Sequence, residues 1–134
     1  MTTYLWIAAG SALGGMARFA CANWMGAWLG TAFSWGTLAI NVVGSFIIGL
    51  FSVFTAPEGR LPVPADVRLF VTVGVCGGYT TFSSFSLQTL ALAQDGQAGR
   101  AGLNIAGSVV LCLLAVWIGW AAGMALNKSK AGGA

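Results

Sequence analysis

The sequence predicts an all-α membrane protein, with four transmembrane helices in one domain over residues 1–127. Charged residues are 7% of the 134-residue chain, against 57% hydrophobic ones. They are Arg18, Glu58, Arg60, Asp66, Arg68, Asp95, Arg100, Lys128 and Lys130. The uncharged gaps between them cover residues 1–17, 19–57, 69–94 and 101–127. A helix crossing a bilayer needs about 20 mostly apolar residues. The gaps place four such helices at about 4–26, running through Arg18, and at 34–55, 68–92 and 101–126, and leave almost nothing for a soluble domain.

The first helix lacks the basic start of a signal peptide and runs on through Arg18 and Phe19. Gly30-Thr31-Ala32-Phe33-Ser34 is a small polar turn before the second helix. All three prolines lie in Pro57–Pro64, an interfacial loop. Gln94–Arg100 is the next loop, and Lys128–Ala134 is expected to be a disordered tail. Trp24, Trp28, Trp35, Trp117 and Trp120 fall near helix ends, as interfacial anchors do. The pairs Gly10/Gly14, Gly74/Gly78 and Gly119/Gly123 have the spacing that lets helix backbones approach closely in lipid. With both termini on one side, Arg60, Arg68, Lys128 and Lys130 oppose Arg18 and Arg100, a modest bias toward termini inside. The localisation expected is the cell (inner) membrane, as a multi-pass protein.

Several chemistries are missing. The chain has no His, so no imidazole base or proton shuttle. Every carboxylate lies in or beside a loop, whereas proton-coupled export uses an intramembrane Asp or Glu. Cys21, Cys76 and Cys112 lack CxxC spacing and read as packing residues. No His or carboxylate lies near a Ser to activate it, and Gly74–Gly78 lacks the Gly-Lys-Ser/Thr ending of a phosphate loop. No enzyme activity, catalytic residue or nucleic-acid partner is expected.

Polar groups nevertheless sit at membrane depth. Thr37, Asn41 and Ser45 share one face of the second helix. They serve either as helix–helix glue or as part of a polar path. Gly74–Leu87 carries three glycines and six hydroxyl side chains, a poor lipid-facing surface. The third helix is therefore expected to break near Gly77–Gly78 and to restart near Thr81, with glycine supplying the backbone freedom. One half-helix would then present free N–H groups and the other free carbonyls. Phe82 and Phe85 lie three residues apart on one face. Thr81, Ser84 and Gln88 form a polar stripe on the adjoining face. Positively polarised ring edges beside hydroxyl and amide donors could hold a small anion. Arg18, without an acidic neighbour in sequence, reads as a snorkelling interfacial residue or as a positive vestibule. Four thin helices hardly enclose such a path alone, so a dimer is expected.

These residues resemble the small fluoride channels known as Fluc or CrcB, over nearly the whole chain. Gly14–Arg18 is similar to the first-helix Gly-x-x-x-Arg element. Gly36-Thr37-Leu38 through Asn41 and Gly44 is similar to the second-helix Gly-Thr-Leu-x-x-Asn-x-x-Gly motif. Gly74–Phe85 is similar to the third-helix Gly-x-x-Gly-Gly-x-Thr-Thr-Phe-Ser-Thr-Phe string, with Ser84 where Thr is usual. The resemblance implies an antiparallel, dual-topology homodimer with two pores and passive fluoride export. It implies that Phe82 and Phe85 contact fluoride by their ring edges and that Asn41 donates to the ion. Thr81 and Ser84 would join the hydroxyl track, and Arg18 the base of a vestibule. The backbone carbonyls of Gly77 and Thr80 would hold a structural Na⁺ at the dimer centre. On the fourth helix Ser108 is present, but Asn104 stands where a Tyr is common, so the track would continue through Asn104. Fluoride is small and strongly hydrated, and successive neutral donors would let it enter and leave. The alternatives are a small dual-topology multidrug exporter, which the missing intramembrane carboxylate opposes, and a non-transporting membrane assembly subunit.

Overall fold

The computed structural model describes residues 1–30 and 32–131. Among these the chain is helical throughout, with no strand. Helix α1 spans Thr2–Leu29 and α2 spans Trp35–Phe54. A broken helix follows: α3 (Ala65–Leu69), a π-helical segment (Phe70–Cys76), α4 (Gly77–Tyr79) and, after two extended residues, α5 (Phe82–Gln94). Helix α6 spans Ala98–Ala131. Three uninterrupted helices are long and apolar enough to cross a membrane: Thr2–Leu29, Trp35–Phe54 and Ala98–Lys128. The broken helix is cut into pieces too short to do so singly.

Two boundaries differ from expectation. Helix α6 continues through Ala131, so the first residues of the expected disordered tail are helical. Nothing between Asn127 and Ala131 stops a helix: there is no Pro or Gly until Gly132. Gly132–Ala134 lie outside the described residues, as does Thr31 of the expected first turn. The second difference is the position of the break. Gly77 lies within the helix, at φ −65° and ψ −36°. The extended residues are Thr80 (φ −77°, ψ 156°) and Thr81 (φ −152°, ψ 110°). The helix therefore breaks after Tyr79, and glycine freedom is not its cause. Among the described residues, positive φ occurs only at Gly30 and Gly96.

Gly96 closes α5. Its N–H donates to the Ala93 carbonyl at 3.1 Å, and the Gln97 N–H donates to the Leu92 carbonyl at 2.9 Å. This is the Schellman arrangement, which needs a left-handed residue after the helix. Gly96 (φ 74°) supplies it. The turn sends α6 back antiparallel along α5.

The glycines act through closeness. A methyl built on Gly10 would lie 2.9 Å from Cα of Gly74, and one on Gly78 would lie 2.6 Å from the Ser11 carbonyl oxygen. At Gly14 it would overlap the Val75 carbonyl oxygen. Helix α1 thus lies directly against the backbone of the broken helix. Helices α2 and α6 meet likewise: a methyl on Gly49 would overlap the Val116 carbonyl oxygen, and one on Gly119 that of Phe46. Close backbone approach is how helices associate in lipid, where apolar side chains gain little by leaving one apolar medium for another.

The interior is polar for its size. The most deeply buried large side chains are Ile40, Asn104 and Thr55. Large apolar side chains, such as Leu113, Trp117, Leu103 and Phe19, are exposed around the outside. A water-soluble fold reverses that pattern; a multi-pass membrane protein requires it.

Candidate functional site

The break opens a cavity of about 450 Å³ between α2, the broken helix and α6. Helix α2 lines it with Asn41, Gly44, Ser45 and Ile48. The broken helix contributes Thr72, Cys76, Gly77, Thr80, Thr81, Phe82 and Phe85, and α6 contributes Ser108, Val109, Cys112 and Leu113. No charged residue lines it.

Asn41 holds the break. Its Oδ1 accepts the Thr81 N–H at 2.7 Å, and its Nδ2 donates to the Thr81 carbonyl at 3.1 Å. A continuous helix would pair that N–H with the Gly77 carbonyl. One amide side chain thus replaces, in lipid, the two backbone bonds that the extended Thr81 has lost. The Gly77 carbonyl is released in consequence. An Asn amide has two N–H donors, and the second Nδ2 hydrogen is left for a group in the cavity.

Thr81 begins the next half-helix. Its Oγ1 accepts the Ser84 N–H at 3.1 Å, the geometry of an N-cap, and donates to Ser84 Oγ at 3.0 Å. Ser83 Oγ lies 3.2 Å from the same oxygen. These hydroxyls satisfy the N-terminus of α5, where the helix dipole is positive. Thr80 Oγ1 and N–H both donate to the Cys76 carbonyl at 2.9 Å, closing the preceding half-helix.

Phe82 and Phe85 stand with ring centroids 5.2 Å apart and planes at 50°. Their surroundings differ. Phe82 is 77% exposed, whereas Phe85 is 8% exposed beside α6. Ser108 on α6 is buried and lines the same cavity.

Of the residues singled out in the sequence, Asn41, Thr81, Phe82, Phe85, Ser108, Gly77 and Thr80 line this one cavity. Ser84, Asn104 and Arg18 do not. Ser84 sits behind Thr81 in the cap. Asn104 is 1% exposed, and its Nδ2 donates to Thr89 Oγ1 at 2.8 Å, between α5 and α6. Arg18 is half-buried on α1, one turn beyond Gly14, with no ion pair among the described residues. Gln88, third member of the polar stripe, buries its Oε1 without a partner among the described residues.

Thr72, Cys76 and Cys112 were not singled out as site residues. The first two, with Thr80, recur at four-residue steps along the cavity wall, a spacing visible in the sequence. Arg68 was treated only as a membrane-edge charge. Its guanidinium donates to the Ser52 carbonyl at 3.2 Å in the last turn of α2, where a cation complements the helix dipole.

Fold and site together define a class: a multi-pass membrane protein that gathers its polar groups around an uncharged cavity at a helix break. The family profile described as "CrcB-like protein, Camphor Resistance (CrcB)" matches residues 5–120. Three similar relatives carry the name "Fluoride-specific ion channel FluC". That of Opitutus terrae is 58% identical over 130 residues, 97% of this chain and 98% of the relative. That of Methylocella silvestris is 57% identical, covering 95% of this chain and 97% of its own. That of Rhodospirillum rubrum is 52% identical, covering 94% and 98%. The chain belongs to the CrcB family.

Proposed function

We infer that this protein is a fluoride-specific ion channel giving passive fluoride export across the cell membrane. The observation that carries the reading is the near-full-length identity, 52–58%, to relatives named for that activity. The cavity supports it with chemistry suited to a small, strongly hydrated anion. Asn41 keeps one N–H available, Ser108 offers a hydroxyl, and the edges of Phe82 and Phe85 are positively polarised. None of these is charged, so the ion would meet donors able to replace water without trapping it. An ion channel, rather than an enzyme, is the activity proposed.

The finer reading follows the family resemblance. The broken helix makes the remaining membrane crossing, the third of four in chain order. Two chains pair antiparallel, in dual topology, as a homodimer with two pores. Phe82, exposed within one chain, would lie where the second chain completes the wall. Asn41, Thr81, Ser84 and Ser108 belong to the polar track, and Arg18 to a vestibule that raises the local anion concentration. Gly77 and Thr80 suit a structural Na⁺ at the dimer centre: carbonyl oxygen is the ligand a hard cation takes, and the Gly77 carbonyl has lost its helical donor to Asn41. When bound, such an ion would supply the positive charge that carbonyls from two chains need in order to approach each other.

The test is efflux. Liposomes loaded with potassium fluoride and carrying the purified protein should release fluoride rapidly, read with a fluoride electrode, while a chloride electrode in a parallel experiment stays flat. Equal release of both ions, or of neither from folded dimer supplied with Na⁺, would overturn the reading.

A further inference from the structure

We propose that Asn104 is a positioning residue that acts on Phe85 through Thr89, and that it sets the width of the cavity between Phe85 and Ser108. The proposal rests on the channel reading above and goes beyond it in giving Asn104 a task away from the ion.

The bonds form a relay. Asn104 Nδ2 donates to Thr89 Oγ1 at 2.8 Å, and Thr89 Oγ1 donates to the Phe85 carbonyl at 2.7 Å. A hydroxyl has one hydrogen and two lone pairs, so Thr89 accepts and donates at once, and the direction of each bond is determined. Asn104 is 1% exposed and does not line the cavity.

Register explains the consequence. Helices α5 and α6 form an antiparallel hairpin closed by the Gly96 turn. Away from that turn, Leu92, Thr89 and Phe85 step by three and then four residues on α5. Ala101, Asn104 and Ser108 make the same steps on α6. The pair Leu92 and Ala101 is buried, at 8% and 6% exposure. Thr89 and Asn104 are hydrogen-bonded, and Phe85 and Ser108 both line the cavity. The relay is therefore the last closed rung before the helices part around the cavity. Residues four apart share a face, so its length governs the gap between the next two side chains. Its second bond ends on the backbone of Phe85 itself.

The experiment compares Asn104→Ala, Thr89→Val, their double mutant and Thr89→Ser in the fluoride and chloride efflux assay, each checked for a monodisperse dimer. Leu92→Ala serves as the packing control on the neighbouring rung. Asn104→Ala and Thr89→Val should each slow fluoride release roughly fivefold, the loss expected of one hydrogen bond, and raise chloride leak. The double mutant should be no slower than either single, because the two residues share one path. Thr89→Ser, which keeps the hydroxyl, should restore both rates. Leu92→Ala should lower thermal stability and leave the fluoride-to-chloride ratio unchanged.

A second readout is independent of conduction. With 4-fluorophenylalanine at position 85, in fluoride-free buffer, Asn104→Ala and Thr89→Val should shift its ¹⁹F resonance alike. Multiplying losses, wild-type efflux in Asn104→Ala, or an unmoved resonance would each overturn the proposal. Wild-type liposomes that hold their fluoride would instead overturn the channel reading, with the resonance still reporting whether the relay orders Phe85.

Discussion

The two ends of α6 hold their neighbours by opposite means. Toward its C-terminus α6 lies on α2 through Gly49 and Gly119, so close that a methyl at either would overlap the facing backbone. Toward its N-terminus it meets α5 through the Asn104–Thr89 hydrogen bond, and beyond that bond the helices part around the cavity. The first contact has no adjustable part: distance is set where backbone meets backbone. The second is set by side chains whose length and donors determine the gap. A membrane protein that needs a rigid frame and an open path can build the frame from absent side chains and the path from polar ones.

The largest effects should come from the glycine contacts. Gly49→Val would force α2 off α6 with backbone as the obstacle, at a cost of about 3 kcal/mol or more. The expected result is loss of monodisperse protein in mild detergent, read by size-exclusion chromatography. Gly15→Ala is the companion. A methyl there meets nothing within 4 Å, and alanine is the better helix former by roughly 0.5–1 kcal/mol. It should fold as well as wild type or melt slightly higher. Equal behaviour of the two variants would break the assignment of closeness to particular glycines.

Next comes the break. Asn41→Leu keeps the volume of the side chain and removes both bonds to Thr81, leaving an N–H and a carbonyl unpaired within the membrane. The penalty should be about 2 kcal/mol or more. If it falls on the conducting geometry, fluoride efflux should drop roughly 30-fold. Efflux and melting temperature measured together separate the two effects. Unchanged values of both would mean that Thr81 finds other partners and that Asn41 does not hold the break.

The frame was more legible in the sequence than the site. Charges cannot sit cheaply in lipid, so Glu58–Arg68, Asp95–Arg100 and Lys128 mark helix ends to within a few residues, whereas Arg18 falls inside α1. The break was legible as an event and misplaced by two to three residues. Gly77 and Gly78 look like breakers, yet the extended pair is Thr80–Thr81, because the group that pairs with the Thr81 backbone is Asn41, forty residues away in the chain. A tertiary hydrogen bond leaves no local trace. The same holds for Phe82 and Phe85. Their spacing puts them on one face, but α6 covers one of them and not the other. Asn104 departs from the pattern of the resembled family, and its partner Thr89 becomes apparent only once the Gly96 turn sets the register of α5 against α6.

Smaller effects test the half-helix start. Thr81→Ala removes the cap on Ser84 and should cost about 1 kcal/mol, a roughly fivefold slower efflux if the cap orders the conducting turn. Thr81→Ser retains the oxygen and should recover most of the rate. Equal losses in the two variants would assign the role to the methyl group, which packs, rather than to the hydroxyl, which caps.

The smallest effect belongs to the membrane edge, far from the cavity. Asn127 Oδ1 accepts the Arg60 N–H at 2.8 Å, and its Nδ2 donates to the Val53 carbonyl at 3.2 Å. It thereby joins the proline-rich loop and the end of α2 to α6. It resembles Asn41 in chemistry, with one amide satisfying a backbone donor and a backbone acceptor, but water can compete for both bonds. Asn127→Leu should therefore cost only about 0.5–1 kcal/mol and leave fluoride efflux unchanged. Set beside Asn41→Leu, it is the same substitution at the same kind of bond pair, so the difference between the two melting temperatures measures what the membrane interior adds. A loss at Asn127 as large as that at Asn41 would show that burial in lipid is not what makes the break depend on its asparagine.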